Sequence, residues 1–317
     1  MQIANPIYDV VFKYLMEDSK IAKLLISSII KQEIEILEFS PKEFVTNVDY
    51  KSKKNLSKNN KNKKNIPTSF TVYRLDFTAK IRTSEGDKVV IIEIQKAKFA
   101  TDILRFRKYL GEQYSNKKNV YYIERNGKSE KRAFEIISIY FLGHELENIH
   151  GVPVIKSEKK YIDLSNGKEI KQKEYFIDSL NHESYTILIP ELKEKRRNEL
   201  EKLLSIFDQS NITENDHILN VNEKDFPEKY QSLIRRLQKA ATVPEIRKNM
   251  DAEDEIIDAI AELERQNEQE IAIRDKIIED KQKTIEDKQK TIEDKQKLLE
   301  SKDKLIKELE KKLSKKK

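Results

Sequence analysis

The sequence predicts an α/β fold, because helical patterns come first, strand patterns follow, one helix interrupts them, and more strands close the series. Composition is the second observation. With 37% hydrophobic residues the chain can form one core, while 37% charged residues keep much of it in water. The third observation is a seven-residue repeat near the carboxyl end, which is typical of a long helix. We therefore expect a globular part followed by an extended part.

The amino-terminal stretch predicts two helices. Apolar residues recur at helical spacing from Ile7 to Leu25, and Asp18-Ser19 interrupts them where an acid can cap the second helix. Asp9 and Lys13 are four residues apart and share one face, either as a surface pair or pointing into a site. Residues 34–39 then alternate as an early strand does.

Residues 51–65 are almost wholly Lys, Asn and Ser. Such a segment buries too little apolar area to offset its chain entropy, so it predicts a mobile loop. Two interpretations stay open for this loop. It either clamps phosphates through its positive charge or is a solvated insertion with no role.

Residues 72–95 predict two strands joined by a short turn. Asp76 interrupts an apolar and aromatic alternation on the first strand, and Glu93 and Gln95 follow four apolar residues on the second. A buried charge costs several kcal/mol unless it is paired or binds a metal, so these acids favour chemistry over packing. Because side chains alternate along a strand, Glu93 and Gln95 share one face.

Carboxylates on adjacent strands can hold a divalent cation through oxygen ligands, and such ligands favour Mg²⁺ or Mn²⁺ over Zn²⁺. The cation lowers the pKa of a bound water and offsets the charge of a phosphate under attack. The chain has no cysteine, which excludes a thiolate zinc site, and its four histidines lack the spacing of a helical metal pair.

The chain after residue 95 predicts one helix and then further strands. Thr101 or Asp102 caps a helix that carries Arg105 and Arg107 on its polar side, and Asn126-Gly127 marks a turn. Residues 134–142 are apolar enough for a central buried strand. Further strand patterns lie at residues 152–154, 161–164 and 185–189.

From residue 191 the chain predicts helices that pack on the core or on a partner, and beyond Asp251 nothing predicts globular structure. The segment IEDKQKT begins at Ile278 and again at Ile285, which gives a narrow apolar stripe flanked by lysines. This stripe favours coiled-coil self-association, with a single solvated helix as the alternative. One heptad position holds Ile278, Ile285, Ile292, Leu299, Ile306 and Leu313.

Several of these motifs together resemble the PD-(D/E)XK nuclease superfamily, in particular its Rpn-like branch of recombination-promoting nucleases and transposase-like proteins. The resemblance rests on RLDF at residues 74–77, IIEIQ at 91–95, DVVFKYL at 9–15 and the basic helix that follows. ISIYFLG at 137–143 and SYTILIPEL at 184–192 are also similar, so the match covers about residues 5–200.

The resemblance implies a restriction-endonuclease-like core, in which helices flank a central mixed sheet, over residues 1–200. A helical region at residues 201–250 and a long helix or coiled coil at residues 251–317 would follow. It also implies that Asp76 and Glu93 bind Mg²⁺ or Mn²⁺, and that Asp9 approaches this ion from the first helix.

Gln95 stands where the superfamily usually has a lysine, although glutamine is usual in the Rpn-like branch. A neutral amide can orient a water but cannot act as a base or supply a positive charge. Lys98 is the better substitute for that charge, because strand alternation turns Lys96 away from the site. Lys96, Arg105 and Arg107 are then the candidate nucleic-acid contacts. The alternative for Arg105 and Arg107 is that they are ordinary arginines on the polar face of the helix.

The leading hypothesis is a magnesium-dependent DNA endonuclease, acting in recombination, transposition or phage defence, whose coiled coil pairs two nuclease domains. A second hypothesis is a catalytically inactive module that binds DNA or serves as a scaffold. A third is that the tail recruits a protein that gates the nuclease. The net charge of +6 is compatible with nucleic acid without being diagnostic.

The sequence predicts no membrane segment, because no apolar run approaches the roughly 20 residues that a membrane span requires. Its amino end also lacks the basic start and the small-residue cleavage site of a signal peptide. We therefore expect the protein in the cytoplasm.

Overall fold

A computed structural model describes residues 1–39, 42–49, 69–84, 86–96, 102–172 and 174–314. Within these ranges, residues 42–49, 69–76, 102, 105 and 308–314 are described by their backbone alone. The chain forms two compact units, Met1–Ile257 and Asp258–Lys317. The predicted mobile loop at residues 51–65 lies outside the described residues.

Helices and strands alternate through the first unit, as the sequence predicts. The amino-terminal half contains β1 (Gln2–Ala4), α1 (Asp9–Met16), α2 (Ser19–Ile30), β2 (Ile36–Phe39), β3 (Lys42–Asp49), β4 (Ser69–Thr83), β5 (Gly86–Gln95) and α3 (Asp102–Ser115). The carboxyl-terminal half contains β6 (Val120–Arg125), β7 (Lys128–Ala133), β8 (Glu135–Leu142), β9 (Val154–Ser157), β10 (Tyr161–Asp163), β11 (Lys168–Ile170), α4 (Tyr175–Ser179), β12 (Glu183–Leu188), α5 (Glu199–Leu204), β13 (Ile218–Asn220) and α6 (Gln231–Thr242). The last helix, α7 (Pro244–Ser314), begins in this unit and runs into the second.

The break between α1 and α2 is where the sequence predicts it. The Asp18 carboxylate accepts hydrogen bonds from the backbone N–H groups of Lys20 and Ile21, at 3.0 and 3.3 Å. It thereby satisfies two of the donors that every helix leaves open at its first turn.

The central sheet is mixed, which confirms the α/β class. Six strands run in the order β2-β4-β5-β8-β12-β9, and β3 pairs with β4 beside this path. β8 pairs in parallel with β5 and with β12, while β4 runs antiparallel to β5. Strands β5 and β8 are nearly continuous apolar runs, because the middle of a parallel sheet is buried on both faces.

Helices cover the sheet on both faces. On one face Ile92, Ile139 and Phe141 join a large core with α1, α2 and α6. On the other face Val89, Ile91 and Ile136 form a smaller cluster with Leu110 of α3 and Phe134. The two sets alternate along β5 and β8, as strand geometry requires.

Residues 201–250 lie within the first unit. The reason is tertiary pairing: β13 joins β1 through pairs such as Gln2 with Asn220, and α6 buries Leu233 and Leu237 in the large core. The start of α7 also belongs here, because Ile246 and Met250 are buried. The globular unit therefore extends past Asp251, where the sequence predicts that it stops.

Several local features differ from the sequence prediction. Strand β9 begins at Val154 rather than at residue 152, because Pro153 has no N–H to donate to a sheet. Strands β6 and β7 flank the predicted turn at Asn126-Gly127, and the sequence pattern predicts neither strand. Helix α4 is also additional to the prediction.

The second unit continues α7 to Ser314, which confirms the long helix. Its apolar stripe faces solvent, with Ile278 63% exposed and Leu299 61% exposed. Pairing of this stripe in a coiled coil stays a prediction. None of the helices in the described part of the chain combines the length and hydropathy that a bilayer span needs.

Candidate functional site

The candidate site lies where strand β5 ends. Glu93 and Gln95 lie on the face that α3 covers, and they are only 3% and 2% exposed. Across the parallel pair, Glu93 is in register with Tyr140 and Gln95 with Leu142. A carboxyl and an amide are therefore buried side by side at the carboxyl end of a central strand.

Tyr140 borders Glu93 from strand β8. Its ring packs against Phe106 of α3, with the centroids 4.6 Å apart. Burial raises the pKa of the Tyr140 hydroxyl above its ordinary value; the Ser138 side chain lowers it in part, and the negative charge of Glu93 raises it again. The hydroxyl therefore keeps its proton at neutral pH and is available as a hydrogen-bond donor.

The side chain of Gln95 is buried but incompletely satisfied. Its amide nitrogen Nε2 has no hydrogen-bond partner among the residues that the structure describes. A buried donor in this state costs about 1–3 kcal/mol, and such groups are rare in folded proteins. The backbone at the same residue is fixed, because the Gly143 N–H donates to the Gln95 carbonyl at 2.7 Å.

Gly143 is required where β5 and β8 end together. A Cβ at this position would lie 2.5 Å from the Lys96 carbonyl oxygen and 2.8 Å from that of Gln95. Both distances are shorter than any real contact of a Cβ, so the strand ends approach closely only because residue 143 has no side chain.

Asp76 belongs to β4, on the neighbouring strand. The last described pair between β4 and β5 joins Phe77 to Ile92, so one further step along both strands reaches Asp76 and Glu93. At this point the β4 backbone also pairs with β3, through Asp76 and Lys42. Asp76 thus lies one residue beyond the end of the β4–β5 pairing, and its side chain is not among those that the structure describes.

Lys96, the next residue after Gln95, lies in a different cluster. Its ammonium forms an ion pair with Asp254 of α7 and lies 3.7 Å from the centroid of the Tyr8 ring. Asp254 also accepts a hydrogen bond from the Tyr8 hydroxyl at 2.9 Å and lies 3.0 Å from His217 Nε2. The charge of Lys96 is therefore engaged within the protein.

The Asp254 carboxylate is the centre of this cluster. Burial alone would raise its pKa, but hydrogen bonds from Lys96, His217 and Tyr8 outweigh burial and hold the pKa below its ordinary value. Burial and the same carboxylate raise the pKa of Tyr8. Asp254 is therefore ionised at neutral pH, and Tyr8 is protonated.

Asp9 is the first residue of α1. Its N–H donates to both carboxylate oxygens of Glu253 in α7, at 3.2 and 3.1 Å. This acid one residue before Asp254 thus caps α1, which favours the helix end electrostatically. The start of α7 contacts both segments that the sequence assigns to the site.

Three further residues that the sequence assigns to the site are Arg105, Arg107 and Lys98. Arg107 is exposed on α3, and Arg105 lies in the same helix, described by its backbone alone. Lys98 lies outside the described residues.

The donors present suit a hard cation, since Glu93 supplies carboxylate oxygens and Gln95 an amide oxygen. Among the described residues no three acids or histidines converge as a metal site. The Asp76 carboxylate is not among the side chains that the structure describes, so the pairing of Asp76 with Glu93 at a metal stays a prediction.

Comparison with known proteins adds no relative. No family model, no curated protein and no solved structure matches the chain. The interpretation of the site therefore rests on its own geometry and on the motifs in the sequence.

Sequence reasoning missed Tyr140, Gly143, His217 and Asp254. Gly143 carried a signal, because a glycine directly after a buried strand often marks a close approach of two backbones. Asp254 carried none, since it lies in a run of acidic residues that is typical of a solvated helix.

Proposed function

We propose that this chain is a metal-dependent DNA endonuclease that hydrolyses phosphodiester bonds at the end of β5. The observation that supports the proposal best is the buried pair of Glu93 and Gln95, in which the Gln95 amide nitrogen has no partner among the described residues. Buried groups left unsatisfied by the protein are expected where a substrate or a water completes their hydrogen bonds.

Each residue would have a distinct role. Asp76 and Glu93 would hold Mg²⁺ or Mn²⁺ through carboxylate oxygens. When bound, the ion supplies a water of lowered pKa and offsets the charge of the phosphate. Gln95 would orient the attacking water by a hydrogen bond, because its amide neither accepts nor releases a proton near neutral pH.

Other residues would bind the substrate. Arg105 and Arg107 on α3 are suited to phosphate oxygens, since a guanidinium donates in a fork that matches them. Asp9 would approach the ion from α1. Lys98 would supply the positive charge that Gln95 lacks, and Lys96 would bind DNA only by leaving Asp254.

Plasmid cleavage tests the proposal. Wild-type protein should nick plasmid DNA with Mg²⁺ or Mn²⁺, while Glu93→Gln should lose about a thousand-fold in rate, because several kcal/mol of transition-state stabilisation depend on the ion. Glu255→Gln is the matched control, since Glu255 is exposed on α7. Equal nicking by wild type and Glu93→Gln, or no nicking with any divalent metal, overturns the proposal.

Metal binding can be measured without cleavage. A ligand that binds only the folded state at 100 times its Kd stabilises the protein by about 2.7 kcal/mol. Mn²⁺ should therefore raise the Tm of wild type and of Glu255→Gln. The same titration should leave the Tm of Glu93→Gln unchanged.

A second candidate function is a catalytically inactive module that binds DNA or serves as a scaffold. Gln95 favours it, because a neutral amide replaces the lysine of the superfamily pattern and supplies neither charge nor base. This alternative predicts a gel shift that persists without metal and weakens steeply with salt, with no cleavage.

We also propose that the tail joins two copies of the chain, so that two sites act on one duplex in the cytoplasm. A strict seven-residue spacing drifts around a straight helix and stays on one side only when helices supercoil around each other. The stripe is exposed at every described turn, with Ile285 and Ile292 each 54% exposed. A matching repeat on a second copy would cover it.

Mass in solution tests this pairing. Ile285→Lys with Ile292→Lys should convert a dimer to a monomer, because each helix would then place two charges within the apolar stripe. Light scattering measures the change in mass. Asp280→Asn with Asp287→Asn changes the net charge by the same amount on the opposite side of the helix and should remain dimeric. A monomeric wild type contradicts self-association and favours a tail that recruits another protein.

A further inference from the structure

Strands β6 and β7 form a separate arm. Among the described strands they pair only with each other, from Val120 with Ala133 to Arg125 with Lys128. Asn126 and Gly127 join them with φ angles of 53° and 73°, which is the type I′ turn that matches the twist of a hairpin. The arm is thus a defined two-stranded ribbon.

The arm concentrates positive charge. Residues 117–132 contain six basic and two acidic residues, a net charge of +4 within a chain whose total is +6. The basic residues are Lys117, Lys118, Arg125, Lys128, Lys131 and Arg132.

At the tip these charges face each other without compensation. Arg125 lies directly opposite Lys128, and both are exposed. Like charges in this position destabilise a strand pair. Within the described chain, no carboxylate lies within ion-pair distance of Arg125, Lys128 or Lys131. A ribbon that keeps such a pair is suited to an external polyanion.

The base of the arm is held firmly. Tyr121 stacks on Phe134, with the ring centroids 5.2 Å apart and the planes 18° apart. The Arg132 guanidinium lies 4.5 Å from the centroid of Tyr175 and pairs with Glu130. The base is therefore packed against the body, while the uncompensated charges are at the exposed end.

We propose that the β6–β7 arm binds the phosphate backbone of a DNA duplex. A major groove about 12 Å wide admits a two-stranded ribbon, and exposed lysines and arginines neutralise phosphates. The choice of DNA as the partner rests on the proposed nuclease function. The positive charge of the arm is observed independently of that function.

The base of the arm adjoins the strand that borders the site. Phe134 directly precedes β8 and lies six residues before Tyr140, about 20 Å of extended chain. The arm therefore extends from the strand that borders the candidate site.

Binding to a short DNA duplex, measured by fluorescence anisotropy at several salt concentrations without metal, tests the arm. Arg125→Gln, Lys128→Gln and Lys131→Gln combined should raise the Kd roughly ten- to hundred-fold. The slope of log Kd against log salt should fall by about 2–3, near one for each phosphate that the variant no longer neutralises. Lys168→Gln, Lys171→Gln and Lys193→Gln combined form the control, since these exposed lysines lie off the arm.

Cross-linking gives a readout that does not depend on stability. Because the chain has no cysteine, Ser129→Cys provides a single attachment point for a photo-cross-linker on the arm, and Lys168→Cys provides one elsewhere. Only the first should cross-link to the duplex.

The outcomes separate this proposal from the proposed function. The proposal that the arm binds DNA is overturned if the arm variant keeps the wild-type affinity and salt slope, or if both positions cross-link equally. This holds even if the protein cleaves DNA. Binding through the arm by a protein that never cleaves supports the arm and rejects the nuclease. Arm-dependent binding to acidic vesicles but not to DNA also overturns the proposal.

Discussion

Gln95 and Lys96 are neighbours in the chain, yet their side chains have opposite environments. Lys96 pairs with Asp254, whose carboxylate also interacts with Tyr8 and His217. Gln95 is more deeply buried, and its amide nitrogen has no partner among the described residues. At the end of β5, two neighbouring residues thus differ: Lys96 belongs to a cluster whose hydrogen bonds are made, and Gln95 keeps a buried donor without a partner among the described residues.

The difference teaches which cluster stabilises the protein and which is available for chemistry. Hydrogen bonds to a charged group contribute about 1.5–3 kcal/mol each, so the Asp254 cluster ties α7 to the globular unit. A buried amide without a partner does the reverse, because it lowers stability until a ligand or water completes it. The Gln95 face therefore fits a functional site.

Gly143→Ala should have the largest effect, because its Cβ would collide with the carbonyl oxygens of both Gln95 and Lys96. We expect a loss of about 2–3 kcal/mol in the free energy of unfolding, together with a loss of cleavage, since both clusters shift. Chemical denaturation measures the first effect and plasmid nicking the second.

Gly111→Ala is the matched control. Gly111 lies inside α3, and a Cβ there meets nothing within 4 Å. Alanine should stabilise the helix by about 0.5–1 kcal/mol. Equal stability of the two alanine variants would show that the strand ends tolerate a side chain.

Asp254→Asn should lower the free energy of unfolding by about 1–2 kcal/mol, discounted because the cluster is partly exposed. In a double-mutant cycle with Lys96→Met, the coupling should be about 1 kcal/mol. Cleavage should change little. A large loss of cleavage without a loss of stability would place Lys96 in the chemistry instead.

The patterns that were predictable from sequence are those set by local chemistry. Asp18 caps α2 because its side chain reaches N–H groups two and three residues later, which spacing alone reveals. The apolar runs of β5 and β8 are typical of buried strands, and period two correctly puts Glu93 and Gln95 on one face.

The features that sequence missed depend on contacts between distant segments. Asp254 looks like one more acid on a polar helix until folding brings it against Tyr8 and Lys96, more than 150 residues away. Strands β6 and β7 are too charged to match a buried pattern, and only the Asn126-Gly127 turn indicates them. Whether Gln95 finds a partner depends likewise on neighbouring strands and on α3.

Lowering the pH should remove the stabilisation that the Asp254 cluster gives to the folded protein. This is the smallest of the predicted effects on stability. Because its pKa is lower in the folded state, Asp254 stabilises the protein above about pH 4, and this stabilisation disappears as pH falls through the folded pKa. The difference in unfolding free energy between wild type and Asp254→Asn should therefore be constant near neutrality and shrink below about pH 4. A difference that grows in acid contradicts this account.

Gln95→Leu tests the central claim most directly, with unfolding free energy and metal-dependent nicking measured on the same preparation. Leucine fills similar space and removes the unsatisfied amide, so stability should stay equal or rise by about 1 kcal/mol. Cleavage should fall by at least about a hundred-fold, because the oriented water is lost. A Gln95→Leu protein that is less stable and still cleaves DNA at the wild-type rate would contradict the account.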